Sequence, residues 1–113
     1  MHELSIAMSI VDIAVEYAEK EHARQVKEME IEVGDFSGVV IDALDFALME
    51  AVRDTICEDA EWKIMQVHAM ARCPSCGHEF ETGSMFTPCP ACGAFGIEFL
   101  KGKELRLKSL IID

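Results

Sequence analysis

The residues of this 113-residue chain best suited to chemistry are five-residue turns of one pattern, Cys73-Pro74-Ser75-Cys76-Gly77 and, after eleven intervening residues, Cys89-Pro90-Ala91-Cys92-Gly93. Each turn carries two sulfurs, so the pair supplies the four thiolates that close a tetrahedral structural Zn²⁺ site at about 2.3 Å each. Pro74 and Pro90 pre-set φ for the turn, while Gly77 and Gly93 can take the positive φ that points following N–H groups back at the sulfurs. Three other uses of the same thiols stand beside zinc. Iron also accepts a four-thiolate set. A disulfide pair fits an exported chain, but Met1-His2-Glu3 opens with an acidic residue and no long apolar run follows. A thioredoxin-like redox site calls for one C-x-x-C beside a βαβ unit, whereas here two copies share a Gly/Pro-rich segment.

The opening tripeptide is a second, subtler metal-ligand pattern. N-terminal Met is normally trimmed only before small residues, and His2 is bulky, so the Met1 amine is expected to persist. That amine, the His2 amide nitrogen once deprotonated, and His2 Nδ1 close a five- and a six-membered chelate ring on one ion. Nitrogen-rich, near-planar sets suit Ni²⁺ or Cu²⁺ better than zinc. A fourth ligand can come from the Glu3 amide, the Glu3 carboxylate or a distant side chain. On spacing alone, a histidine near a chain terminus is equally an ordinary solvated side chain.

The elements that hold these groups follow from hydrophobic period. From about 4 to 18, Ile6, Ile10, Ile13 and Tyr17 recur at helical spacing with Ala7, Ala14 and Ala18 beside them, and Ser5 is placed to cap the helix. Residues 26 to 33 alternate, with Met29, Ile31 and Val33 on one face and Glu28, Glu30 and Glu32 on the other, a half-buried strand. A second helix is predicted from about 41 to 53, with Leu44, Ala47, Leu48 and Ala51 inward. One strand from 62 to 72 and a last strand from 104 to 112 flank the cysteine segment, which therefore reads as an insertion projecting from the sheet at its two feet. The reading is an α+β fold: a small mixed sheet of about three strands with two helices, formed by 1–71 with 103–113, and an inserted zinc-ribbon module over 72–102.

Composition narrows the function. Half of the residues are hydrophobic, enough for a modest core, and no apolar run approaches the length of a membrane span, so a cytoplasmic protein is expected. The formal net charge is −11, and residues 73–100 hold no Lys or Arg, so the cysteine segment has nothing with which to neutralise phosphates; nucleic-acid binding is excluded. The one basic cluster, Lys101, Lys103, Arg106 and Lys108, alternates with Leu105 and Leu107 and reads as the solvated face of a strand. Cys57 reads as a small buried hydrophobe, His22 as solvated, and His68 as a structural residue of the 62–72 strand. No nucleophile–base set or phosphate loop is present in the sequence, so no catalytic role is assigned.

Taken together, Met1-His2-Glu3-Leu4-Ser5, the strand ending Val33-Gly34, the helix with Ala43-Leu44-Asp45-Phe46-Ala47, the paired C-x-x-C turns and the short closing strand resemble the HypA/HybF family of nickel metallochaperones of [NiFe]-hydrogenase maturation. The resemblance implies a non-enzymatic carrier that takes Ni²⁺ at Met1, His2 and Glu3 and holds structural Zn²⁺ at Cys73, Cys76, Cys89 and Cys92. It also implies delivery to the hydrogenase large-subunit precursor with the partner GTPase HypB, a role in urease maturation in some organisms, and a monomer or homodimer. Some relatives place a His after each cysteine pair; here only His78 follows the first, and Gly93-Ala94 follows the second. Two readings from other classes remain at this stage, a zinc-ribbon adaptor that contacts proteins without moving nickel and a thiol redox enzyme.

Overall fold

The computed structural model describes residues 2–84 and 86–113. Helix α1 (Glu3–Lys20) is followed by strand β1 (Val26–Gly34), helix α2 (Ile41–Ala51) and strand β2 (Glu61–Val67), with short strands β3 (Met70–Arg72), β4 (Glu79–Glu81) and β5 (Glu98–Lys101) before the last strand, β6 (Leu105–Ile112). Two three-stranded sheets result, ordered β2-β1-β6 and β4-β3-β5. In the first, β1 is central, parallel to β2 and antiparallel to β6, so β1-α2-β2 is a parallel crossover through a helix.

The alternation in β1 works as expected: Met29, Ile31 and Val33 are buried and form the centre of the core. Helix α1 packs differently from its sequence reading. Its buried line is Ala7, Ile10, Val11, Ala14 and Ala18, while Ile13 and Tyr17 are about half exposed. The alanines, not the larger residues, face inward because their small side chains let α1 approach α2, which buries Leu44, Ala47 and Leu48. Trp62 Nε1 donates to Asp45 Oδ1 at 2.7 Å and ties β2 to α2. The helix also starts earlier than expected. His2, not Ser5, is the N-cap residue, Glu3 lies in the first turn at the positive end of the helix dipole, and Ile6 N–H donates to the His2 carbonyl at 3.2 Å.

The single strand expected over 62–72 is two strands in different sheets, broken at His68 and Ala69. Asp35 explains the break. Its carboxylate accepts from Gln66 Nε2 at 2.7 Å and from Ala69 N–H at 2.9 Å, and its own N–H donates to the Val67 carbonyl at 3.0 Å. The Gln66 amide and then the Ala69 N–H hold this carboxyl below the usual aspartate range. His68, which the sequence placed on a strand, is an exposed residue of the break, with Nδ1 3.5 Å from Asp35 Oδ2.

Gly34 and Gly102 complete this joint between the sheets. A Cβ at Gly34 would fall 2.1 Å from the Gly102 carbonyl oxygen, and one at Gly102, where φ is +119°, would fall 2.6 Å from Ala69 Cα. Gly102→Ala therefore meets both backbone strain and a backbone clash. It should lower unfolding stability by about 2 kcal/mol or more in urea titration; a change within about 0.5 kcal/mol contradicts this account of the joint.

The four basic residues do not share one strand face. Lys101 ends β5, Lys103 lies in the connection with its Nζ 5.1 Å from the Phe99 ring centroid, and Arg106 and Lys108 belong to β6. Arg106 pairs with Glu32 on β1 at 2.6 Å.

Candidate metal centre

Each cysteine turn folds the same way. Gly77 N–H donates to the Cys73 carbonyl and Gly93 N–H to the Cys89 carbonyl, both at 2.7 Å, while Cys73 and Cys89 N–H donate across to the His78 and Ala94 carbonyls at 3.0 and 2.8 Å. Gly77 and Gly93 take φ of 77° and 76°, as the turn chemistry requires. The first turn follows β3 and leads into β4; the second precedes β5. The antiparallel pairing of β3 with both of those strands brings the turns together.

The four ligand sulfurs of Cys73, Cys76, Cys89 and Cys92 all lie within 4.8 Å of one another. Cys73 to Cys92 and Cys76 to Cys89 are each 3.6 Å apart. A tetrahedron with 2.3 Å metal–sulfur bonds has edges of about 3.8 Å, so the donor set fits one four-coordinate ion. The same separations are far beyond a disulfide bond, and all five cysteines are free thiols. Cys73 and Cys89 are buried and Cys76 and Cys92 exposed, which seats the cluster with one side against protein and the other toward solvent.

Electrostatics favours a cation here. The Cys73 thiol is drawn down to about 7, chiefly by the Cys76 backbone N–H and also by the Ser75 N–H and the Cys92 thiol, against the effect of burial. At Cys89 burial raises the thiol, but the Cys92 and Ala91 N–H groups and the Cys76 thiol outweigh it and the shift is downward. Ala91 N–H lies 3.4 Å from Cys89 Sγ. Cys92 goes the other way: although the Ala94 N–H favours its thiolate, the adjoining Cys73 sulfur, burial, and the Cys76 and Cys89 sulfurs push it up to about 12. Cys76 is likewise raised, the His78 N–H being outweighed by burial and the Cys89 sulfur. The four sulfurs thus share protons in the absence of a positive charge, and a dication replaces those protons.

At the other end of the chain, Met1 lies outside the described residues. His2 is exposed at the start of α1 and makes no side-chain capping bond. The carboxylate of Glu3 reaches α2, where its Oε2 accepts from the N–H of Val40, the N-cap residue of that helix, at 3.5 Å. Sequence reasoning gave Glu3 no structural partner, because a contact across 37 residues has no local signature.

The remaining residues singled out by sequence fall as follows. Cys57 is fully buried, with its thiol pushed up by burial. His22 is exposed, and His78 stacks on Phe80 with ring centroids 5.8 Å apart. The β1-α2-β2 crossover is present, but both C-x-x-C turns belong to the other sheet, away from the position a thioredoxin-like dithiol occupies.

A family model described as hydrogenase/urease nickel incorporation, metallochaperone, hypA, matches residues 1–112. The chain belongs to the HypA family. The hydrogenase maturation factor HypA of Geobacter metallireducens is 43% identical over 113 residues, covering 100% of both chains. That of Parabacteroides distasonis is 43% identical over 112 residues, covering 99% of this chain and 97% of its own. The solution structure of the Ni metallochaperone HypA from Helicobacter pylori shares the fold, with a TM-score of 0.71 at 24% identity, over 99% of this chain and 97% of that one. HypA proteins are metallochaperones and maturation factors, not enzymes, which removes the thiol redox reading.

Proposed function

We propose that this HypA-family chain carries Ni²⁺ on the Met1 amine, His2 and Glu3, and that Cys73, Cys76, Cys89 and Cys92 hold a structural Zn²⁺. The match to a nickel-incorporation family over residues 1–112 carries this reading. The structure supports the terminal site in one specific respect. With His2 as N-cap and Glu3 as the first helical residue, the first-turn N–H groups have no carbonyl four residues back to accept them. These amides are available for deprotonation and ligation, and the positive end of the α1 dipole favours the negative charge that an amidate acquires. The Glu3 amide serves as fourth ligand in this account, since its carboxylate already reaches the Val40 N–H.

Zinc is preferred over iron because a permanent brace calls for an ion that undergoes no redox change, and d¹⁰ Zn²⁺ in a closed four-thiolate shell meets that need. We assign 1–71 with 103–113 to a nickel-binding domain and 72–102 to a zinc-binding module. The two separate sheets support a division into two such parts, with the boundary drawn at the His68-Ala69 break, since β3 pairs with β4 and β5.

In the cell the cargo goes to the [NiFe]-hydrogenase large-subunit precursor in the cytoplasm, with HypB as the partner GTPase; urease is a second client, since the family description names both enzymes. An exposed terminal chelate suits this task because it can be reached by an acceptor and reversed by acid. If two amides ligate, nickel binding releases about two protons from them, and log K rises with pH by about two per unit where only those amides titrate. Calorimetry of the untagged protein in buffers of different ionisation enthalpy counts them. A proton count of zero, or equal nickel affinity in protein extended by residues before Met1, favours the zinc-ribbon adaptor over the carrier.

A further inference from the structure

The structure assigns a second interaction surface to the groove between α1 and the open edge of β6, and we propose that it takes an extended segment of a partner protein with alternating acidic and apolar side chains. Among the described residues, strand β6 is the outer strand of its sheet and pairs only with β1. Beside its free edge lie two adjoining cavities of about 390 and 350 Å3 that share Ile13 and Leu107. Their floor is apolar, from Ile6, Ile10 and Ile13 on α1 and Leu105, Leu107 and Leu110 on β6. Ile13 and Tyr17, 55% and 50% exposed, are the apolar residues of α1 that the fold leaves uncovered here.

Charge decides between occupants. Four of the ten basic residues of this acidic chain fall within 101–108, and Arg106 and Lys108 line the groove. Arg106 is engaged by Glu32, whereas Lys108 is in no ion pair among the described residues. The pairing register of β6 steps from Ser109 to Leu107, so Lys108 is the extra residue of a bulge. A lysine at a bulge guards a strand edge against a copy of itself, because two β6 edges paired about a two-fold axis bring two basic strands together. An acid-bearing strand meets the opposite sign.

The fold already shows which pattern β6 accepts. On its inner edge β1 reads Glu28-Met29-Glu30-Ile31-Glu32-Val33, with the apolar residues in the core and Glu32 on Arg106. A segment of the same alternation on the outer edge would seat its apolar residues over Ile13 and Leu107 and its carboxylates near Lys108, while its backbone satisfies the free edge. Ser5 lines one end of this groove, three residues from His2, so the occupant would run alongside the start of α1.

The test uses a synthetic peptide with the sequence of residues 26–34, blocked at both ends, titrated into the full chain with amide hydrogen exchange and NMR shifts as readout. Saturable binding with protection of β6 amides is expected. It should weaken about tenfold in Lys108→Glu and be lost in Ile13→Glu, and a peptide with its three glutamates changed to lysine should not bind. Both substituted side chains are exposed, and circular dichroism checks that each variant keeps its fold. Absence of saturable binding overturns the proposal, as does binding that Ile13→Glu leaves unchanged. A wild-type dimer that Ile13→Glu converts to monomer also overturns it, since a second copy is then the occupant.

Discussion

Replacing His2 with Ala should weaken nickel binding by on the order of 100-fold or more while zinc content, helix content and unfolding midpoint stay at wild-type values. In the proposed site the imidazole closes a chelate ring with the amide of its own residue. Its loss removes one donor and the ring together, and the exposed side chain contributes nothing to the core that would be missed. Isothermal titration with Ni²⁺, alongside metal analysis of the purified protein, reads both halves of the result. Unchanged nickel affinity would remove the N-terminal site from the account and leave a zinc-braced protein with another nickel site or none. Glu3→Gln should behave differently. Its amide remains, so nickel is retained, while the contact from the Glu3 carboxylate to the Val40 N–H weakens.

The second large effect concerns the sulfur cluster. Cys73→Ser should abolish zinc retention during dialysis against chelator and disorder 73–100, because the free energy of a structural zinc, of order 10 kcal/mol, is the folding free energy of its loop. The strands around it are too short to stand alone: β3 and β4 have three residues each and β5 has four. The first sheet should persist, since its core of Met29, Ile31, Val33, Leu44 and Leu48 lies outside the cysteine segment. Amide exchange distinguishes the two regions. Uniform unfolding of both sheets would show that the joint at Asp35, Gly34 and Gly102 makes them one cooperative unit.

The parts legible from sequence were those with local rules. The C-x-x-C turns show their ligand geometry in four residues each, and the positive φ of Gly77 and Gly93 follows from the turn. Strand β1 shows its buried face by simple alternation. What escaped depended on distant partners. Nothing near Ile13 indicates that alanines would take the interface with α2 and leave it half exposed. The break at His68 is imposed by Asp35, 34 residues before Ala69, so the second sheet could not be separated from the first by reading 62–72 alone. Ser5 matches the preference of an N-cap, yet the helix extends to Glu3, where a carboxylate meets both the α1 dipole and the Val40 N–H.

The central claim is that two metals occupy two kinds of site in one small chain, and X-ray absorption at both edges, on protein with a native Met1 loaded with one equivalent each of nickel and zinc, tests it most directly. The account predicts a nickel spectrum of nitrogen and oxygen neighbours with imidazole scattering and no sulfur, and a zinc spectrum of four sulfurs at about 2.3 Å that is the same with or without nickel. Sulfur in the nickel shell, or zinc sulfurs replaced when nickel is added, would contradict it.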